Sequence, residues 1–125
     1  MVMKLIFPQE VEVWYVLPAI RKRLALGLIG KGMPQKMIAQ VMNLTEAAVS
    51  QYKGDKRAHD DFLGTQFNIE ILSAVDKIQT DNKQFFPEVM KLNNLIKNSG
   101  TLCDLHKKIV PMELPCENCE LRGCM

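Results

Sequence analysis

The segment QKMIAQVMNLTEAAVSQYKG, Gln35 to Gly54, decides how the chain is read. Pro34 stands just before it, where the missing N–H of a proline costs nothing in the first turn of a helix. The apolar residues of Gln35 to Met42 then return at helical spacing. Asn43-Leu44 makes a turn, asparagine being the residue after glycine that best tolerates a left-handed backbone. Thr45 is a suitable N-cap for a second helix over Glu46 to Tyr52, and Gly54 lies where that helix would stop. The spacing predicts a helix, a tight turn and a helix.

Within this unit Ala39 has to be small, because two such helices approach closely there. Ile38, Met42, Leu44, Val49 and Tyr52 are spaced to form a shared core. Thr45, Glu46, Ala47, Ser50 and Gln51 are then left on the outer face, the positions a recognition helix presents to base edges in the major groove of double-stranded DNA. Gln51 can pair in two-point fashion with adenine, Ser50 can serve base or phosphate, and Ala47 can pack on a thymine methyl. Lys53, Lys56 and Arg57 follow closely and suit phosphates, giving salt-dependent affinity without specificity. Two amphipathic helices with a tight turn also occur in proteins that never meet DNA. The small alanine, the capped second helix and the trailing basic cluster together favour the DNA-binding reading.

Toward the N-terminus, Trp14, Leu17, Ile20, Leu24 and Leu28 trace the stripe of an amphipathic helix between Glu10 and Gly30, with Arg21, Lys22 and Arg23 expected mostly outward. Pro18 interrupts the stripe and predicts a kink or a junction of two helices, and the alternation Val11, Val13 allows a short extended start. Toward the C-terminus, Gly54 to Gly64 is polar and reads as a loop. Phe67, Ile71, Ala74, Val75 and Ile78 give a further helical face, and Phe85, Val89, Leu92 and Ile96 another, starting at Phe86-Pro87-Glu88 and ending at Asn98-Ser99-Gly100. These helices, with Met90 and Leu95 beyond one core face, are candidates for a dimer surface. A last helix is expected from Thr101 to Ile109.

All four cysteines fall in the final stretch: Cys103, Cys116, Cys119 and Cys124. In a reducing compartment four closely spaced thiols read as metal ligands. Cys116 and Cys119 can bind from one turn, with Cys103 and Cys124 closing the set. Two cofactors fit four thiolates, a tetrahedral zinc or an iron-sulfur cluster of the 4Fe-4S or 2Fe-2S kind. One short pair joined by unequal outliers is less regular than structural zinc, which favours the cluster. His106, three residues after Cys103, can replace a cysteine or donate to the site; in its plainer reading it is an exposed side chain.

Charge is unevenly divided: residues 1–57 carry nine Lys/Arg against four Asp/Glu, and residues 58–125 seven against ten. That suits a phosphate-touching module joined to another. No apolar run is long enough to span a membrane and no secretory leader is evident, so a cytoplasmic protein without membrane contact is expected. No glycine-rich phosphate loop or nucleophile-base pair suggests an enzyme.

Residues 20–57, and most specifically TEAAVSQYKGDKR, resemble the helix-turn-helix regulators of phage-repressor (XRE-like) type. Together, VLPAIRKRLA (Val16 to Ala25), AAVSQY (Ala47 to Tyr52) and the cysteine cluster are similar to a group of small transcription regulators found mainly in archaea. The resemblance implies a dimeric repressor or activator on a palindromic operator, with a cluster in its C-terminal tail. The expected architecture is all-α: a helix-turn-helix bundle over residues 1–57, a helical dimerisation region over 58–100, and a cysteine-rich segment over 101–125 that senses redox, oxygen or iron state. A regulator with structural zinc, or an antitoxin-like protein-interaction module, is the alternative.

Overall fold

The computed structural model describes residues 7–54 and 61–109, with the backbone alone at positions 8, 61, 103 and 107–109. The described residues form helices and turns without a strand, the all-α class that the apolar periodicity predicts.

The chain opens with α1 (Pro8–Val11), a π-helical turn (Glu12–Val16) and α2 (Leu17–Gly30). Glu10 steadies the start, its Oε1 accepting from the Phe7 N–H at 3.2 Å. Pro18 has no N–H to give the carbonyl four residues back, and its ring crowds that carbonyl. The helix widens just before the proline instead of breaking. The Leu17 N–H reaches back five residues to the Glu12 carbonyl, and the backbone stays right-handed helical through Val11, Val16 and Leu17. No extended start forms at Val11 and Val13.

This widening changes which residues face inward. The π turn introduces a spacing of five, so Val11 and Val16 take the buried positions, and Ile20, Leu24 and Leu28 follow at intervals of four. Trp14, expected in the stripe, is turned out and 51% exposed. A second expectation fails at Lys22, which is buried. The cause is the position of α2: it packs against α3, α4, α5 and α6, so almost every side of it meets protein.

Two short helices follow, α3 (Gln35–Met42) and α4 (Glu46–Lys53), and then a 3₁₀ turn (Asp61–Leu63), α5 (Asn68–Thr80), a second 3₁₀ turn (Asn82–Gln84), α6 (Phe85–Asn98) and α7 (Thr101–Ile109). Asp81 organises the α5–α6 connection by accepting from the Lys83 N–H at 3.1 Å. The two helices form an antiparallel hairpin in which Lys77 stands 3.7 Å from Glu88. Along α2, α5 runs in the same sense. Arg23 donates to Asn68 at 3.3 Å, Lys31 pairs with Asp76 at 2.9 Å, and between them Gly27 lies directly against Val75. At the α6–α7 joint Gly100 takes φ +88°, and Ser99 caps the new helix by accepting from the Thr101 N–H at 3.3 Å.

Among the described residues an apolar cluster extends from Val11 to Leu102. It is continuous across the boundary expected near residue 57, because α2 on one side packs on α5 and α6 on the other. Among the described residues no helix is long and apolar enough to cross a membrane.

Candidate nucleic-acid interface

The geometry between α3 and α4 is set by backbone hydrogen bonds that the local sequence makes available. Asn43 adopts the left-handed conformation, φ 55° and ψ 46°. Its N–H bonds to the Gln40 carbonyl at 3.3 Å, and the Leu44 N–H bonds to the Ala39 carbonyl at 2.8 Å. This pair of bonds is the Schellman closure, which ends α3 by occupying the Ala39 and Gln40 carbonyls and redirects the chain before α4. The same device ends α2, with Gly32 at φ +88°.

Thr45 then starts α4. Its backbone is extended, φ −82° and ψ 157°, and its Oγ1 accepts from the Ala48 N–H at 3.1 Å. Such a cap contributes about 1 kcal/mol. Glu46 in the first turn places a negative charge at the positive end of the helix dipole, a structural role it fills whatever else it meets.

Ala48, Val49 and Tyr52 form the inner face of α4, packed with Ile38, Ala39 and Met42 of α3 and with α2. Leu44 is partly buried against the same cluster. The Ala39 side chain is 5% exposed where the helices meet. With that face committed, Thr45, Glu46, Ala47, Ser50, Gln51 and Lys53 are all exposed. Along the helix they make two neighbouring columns, Glu46 with Ser50 and Ala47 with Gln51, each pair four residues or about 6 Å apart along the axis. Lys53 belongs to the last turn of α4 itself. Lys36 and Gln40 are exposed on α3, two polar positions that reading for the second helix alone passes over. Their signal was available: they lie off the Ile38, Ala39 and Met42 face. Lys56 and Arg57 lie outside the described residues.

This arrangement offers a short, rigid helix presenting an amide, two hydroxyls, a carboxylate, a methyl and an ammonium. It is capped at both ends within the chain, the Ala48 N–H donating to Thr45 Oγ1 and the Gly54 N–H to the Ser50 carbonyl. It can read a surface by hydrogen bonding and contact.

Of the cysteine site, the structure places the backbone of Cys103 third in α7; Cys116, Cys119 and Cys124 lie outside the described residues. Among the described residues no three His, Cys, Asp or Glu side chains converge as a metal site. His106 is 6% exposed, in place of the solvated side chain of its plainer reading. It shares the inner side of α7 with Leu102 and Leu105, where α7 packs on α6 and α1.

No protein-family model matches the chain, and no curated protein and no solved structure is significantly similar to it.

Proposed function

We propose that this protein is a DNA-binding transcription regulator of helix-turn-helix type, with α4 as its recognition helix. The carrying observation is the sharply closed α3–α4 turn, followed by a side-chain-capped helix that turns Thr45, Glu46, Ala47, Ser50 and Gln51 outward together. In the major groove, residues about 6 Å apart along α4 span one to two base-pair steps, about 3.4 Å each. Gln51 and Ala47 would therefore read adjacent or next-adjacent pairs. Gln51 favours adenine and Ala47 a thymine methyl, while Lys53, Lys56 and Arg57 hold phosphates. Two copies on a palindromic site would set their recognition helices in successive grooves, roughly 34–36 Å apart.

The four cysteines supply the second part of the proposal. Four thiolates are the donor set of an iron-sulfur cluster, and Cys103 would connect it to the helical core through α7. When bound, such a cluster supplies sensitivity to redox state, oxygen or iron. The residues of the chain itself act by placing α7 against α6 and α1.

Selection from a random duplex pool, followed by anisotropy titration of the enriched sequence at several salt concentrations, tests DNA binding. Enrichment of a palindrome with a steep salt dependence supports it; no enrichment and no salt-dependent binding overturns it. Iron, sulfide and zinc analysis with a visible spectrum on anaerobically purified protein tests the cofactor. Stoichiometric iron and sulfide supports the cluster, and one zinc in colourless protein replaces it with a structural metal.

A further inference from the structure

The α5–α6 hairpin has an outer face that the fold leaves open. Between the two helices lies a groove of about 300 Å³, with Ile69, Leu92 and Leu95 as apolar lining and the small Ser73 on its α5 side. Ile69 is 82% exposed and Leu95 39% exposed, so large apolar side chains stand in water beside an apolar groove. The charges around them are balanced. Glu70 and Lys77 come from α5, Glu88 and Lys91 from α6. Glu88 is buried at the base, 3.2 Å from Lys91 and 3.7 Å from Lys77.

We propose that this face associates with the same face of a second copy of the chain, two-fold and antiparallel, with α5 crossing α5 beside Ser73. The balance of charge identifies the occupant. A patch of one sign repels its own copy, whereas one with exposed charges of both signs, here Glu70 and Lys77 on α5, can complement itself under a two-fold axis. Glu70 and Lys77 are seven residues, two helical turns, apart on the side of α5 that lines the groove. An antiparallel crossing midway between them sets each Glu70 against the partner's Lys77. Ser73, at that midpoint, is small enough for the helices to close. Ile69 then lies over the aliphatic stem of the partner's Lys77, so a cation at this position meets a like charge.

The face is small. Helices of 13 and 14 residues are each about 20 Å long, and side by side present roughly 400 Å² in projection. Standard stable interfaces bury about 800 Å² per partner, so this smaller one fits a weak, concentration-dependent dimer. The inference supplies the pairing surface for the two recognition helices proposed above and rests on that reading for its purpose, not for its existence.

The test is sedimentation velocity on the full chain without DNA, from low micromolar to several hundred micromolar, with Ile69→Lys, Glu70→Lys and the double variant Glu70→Lys/Lys77→Glu. The wild type should pass from monomer to dimer. Ile69→Lys and Glu70→Lys should each weaken association at least about tenfold while keeping the helical circular dichroism, because both side chains are exposed. The charge-swapped double variant should recover most of the loss. A wild type monomeric throughout, or association unchanged in Ile69→Lys and Glu70→Lys, overturns the proposal. A monomer that still selects a DNA site would leave the DNA-binding reading standing, and a dimer indifferent to DNA would leave this inference standing alone.

Discussion

At Gly27 α2 approaches α5 too closely to leave room for a side chain, and replacing it with alanine should cost stability even though alanine is the better helix former. A Cβ built at Gly27 falls 2.5 Å from Val75 Cγ2, with Val75 Cβ and Cγ1 at 3.5 Å. Ordinary carbon contacts sit at about 3.5–4.0 Å, so the helices would have to part locally by about 1 Å. Valine in a helix is held near one rotamer and cannot swing its methyl away. Neither helix can retreat easily, since α2 is packed on most sides and Val75 is fully buried. Overpacking of this kind costs about 1–3 kcal/mol, against a gain of about 0.8–1 kcal/mol in helix propensity. The net expectation for Gly27→Ala is a loss of about 1 kcal/mol. Val75→Ala removes the offending methyl and should cost about 2–3 kcal/mol by itself. In the Val75→Ala background, Gly27→Ala no longer clashes, partly refills the space and should stabilise by about 1 kcal/mol. Urea unfolding of the four proteins forms a double-mutant cycle with a coupling of about 2 kcal/mol. If Gly27→Ala stabilises both backgrounds equally, the close approach is refuted and Gly27 is merely a poor helix residue.

Three further outcomes follow from the α3–α4 unit. Asn43 holds φ 55°, so Asn43→Gly should leave urea stability unchanged or slightly raised, and Asn43→Val should lower it by about 1–2 kcal/mol. Thr45→Ala deletes the hydroxyl that accepts from Ala48 and should cost about 1 kcal/mol, read as a fall of about 3–6 °C in the melting midpoint; no change would mean the cap is not formed in solution. On the selected DNA, Gln51→Ala should lose about 1–3 kcal/mol of discrimination at one or two positions, whereas Lys53→Gln should weaken all sequences alike and reduce the slope of log affinity against log salt by about 1. A Lys53→Gln variant with altered base preference would contradict the assigned roles.

How much of this was legible in the residues depends on the range of the interaction. From Gln35 to Lys53 the outcome is local: the helix bounds, the left-handed Asn43, the Thr45 cap and the split between buried and exposed positions each follow from neighbours within about one turn. The buried faces of α5 and α6 and the bounds of α7 were readable for the same reason. Periodicity misled at Trp14, because one π turn shifts the register of everything before it, and a fixed helical repeat cannot anticipate that. Of the candidate site residues, those of α4 come together on one face; of the four cysteines only the backbone of Cys103 lies among the described residues.

The sequence by itself therefore determined the helices, their caps and the identity of the outward face of α4, since hydrogen bonds and side-chain periodicity act over a few residues. The tertiary structure decided what no short window contains. It made α2 the centre of the bundle and so buried Lys22, it placed Gly27 against Val75, it turned His106 inward on α7, and it left Ile69 exposed beside a groove. Those outcomes depend on which helices meet, and burial is a property of all the neighbours at once.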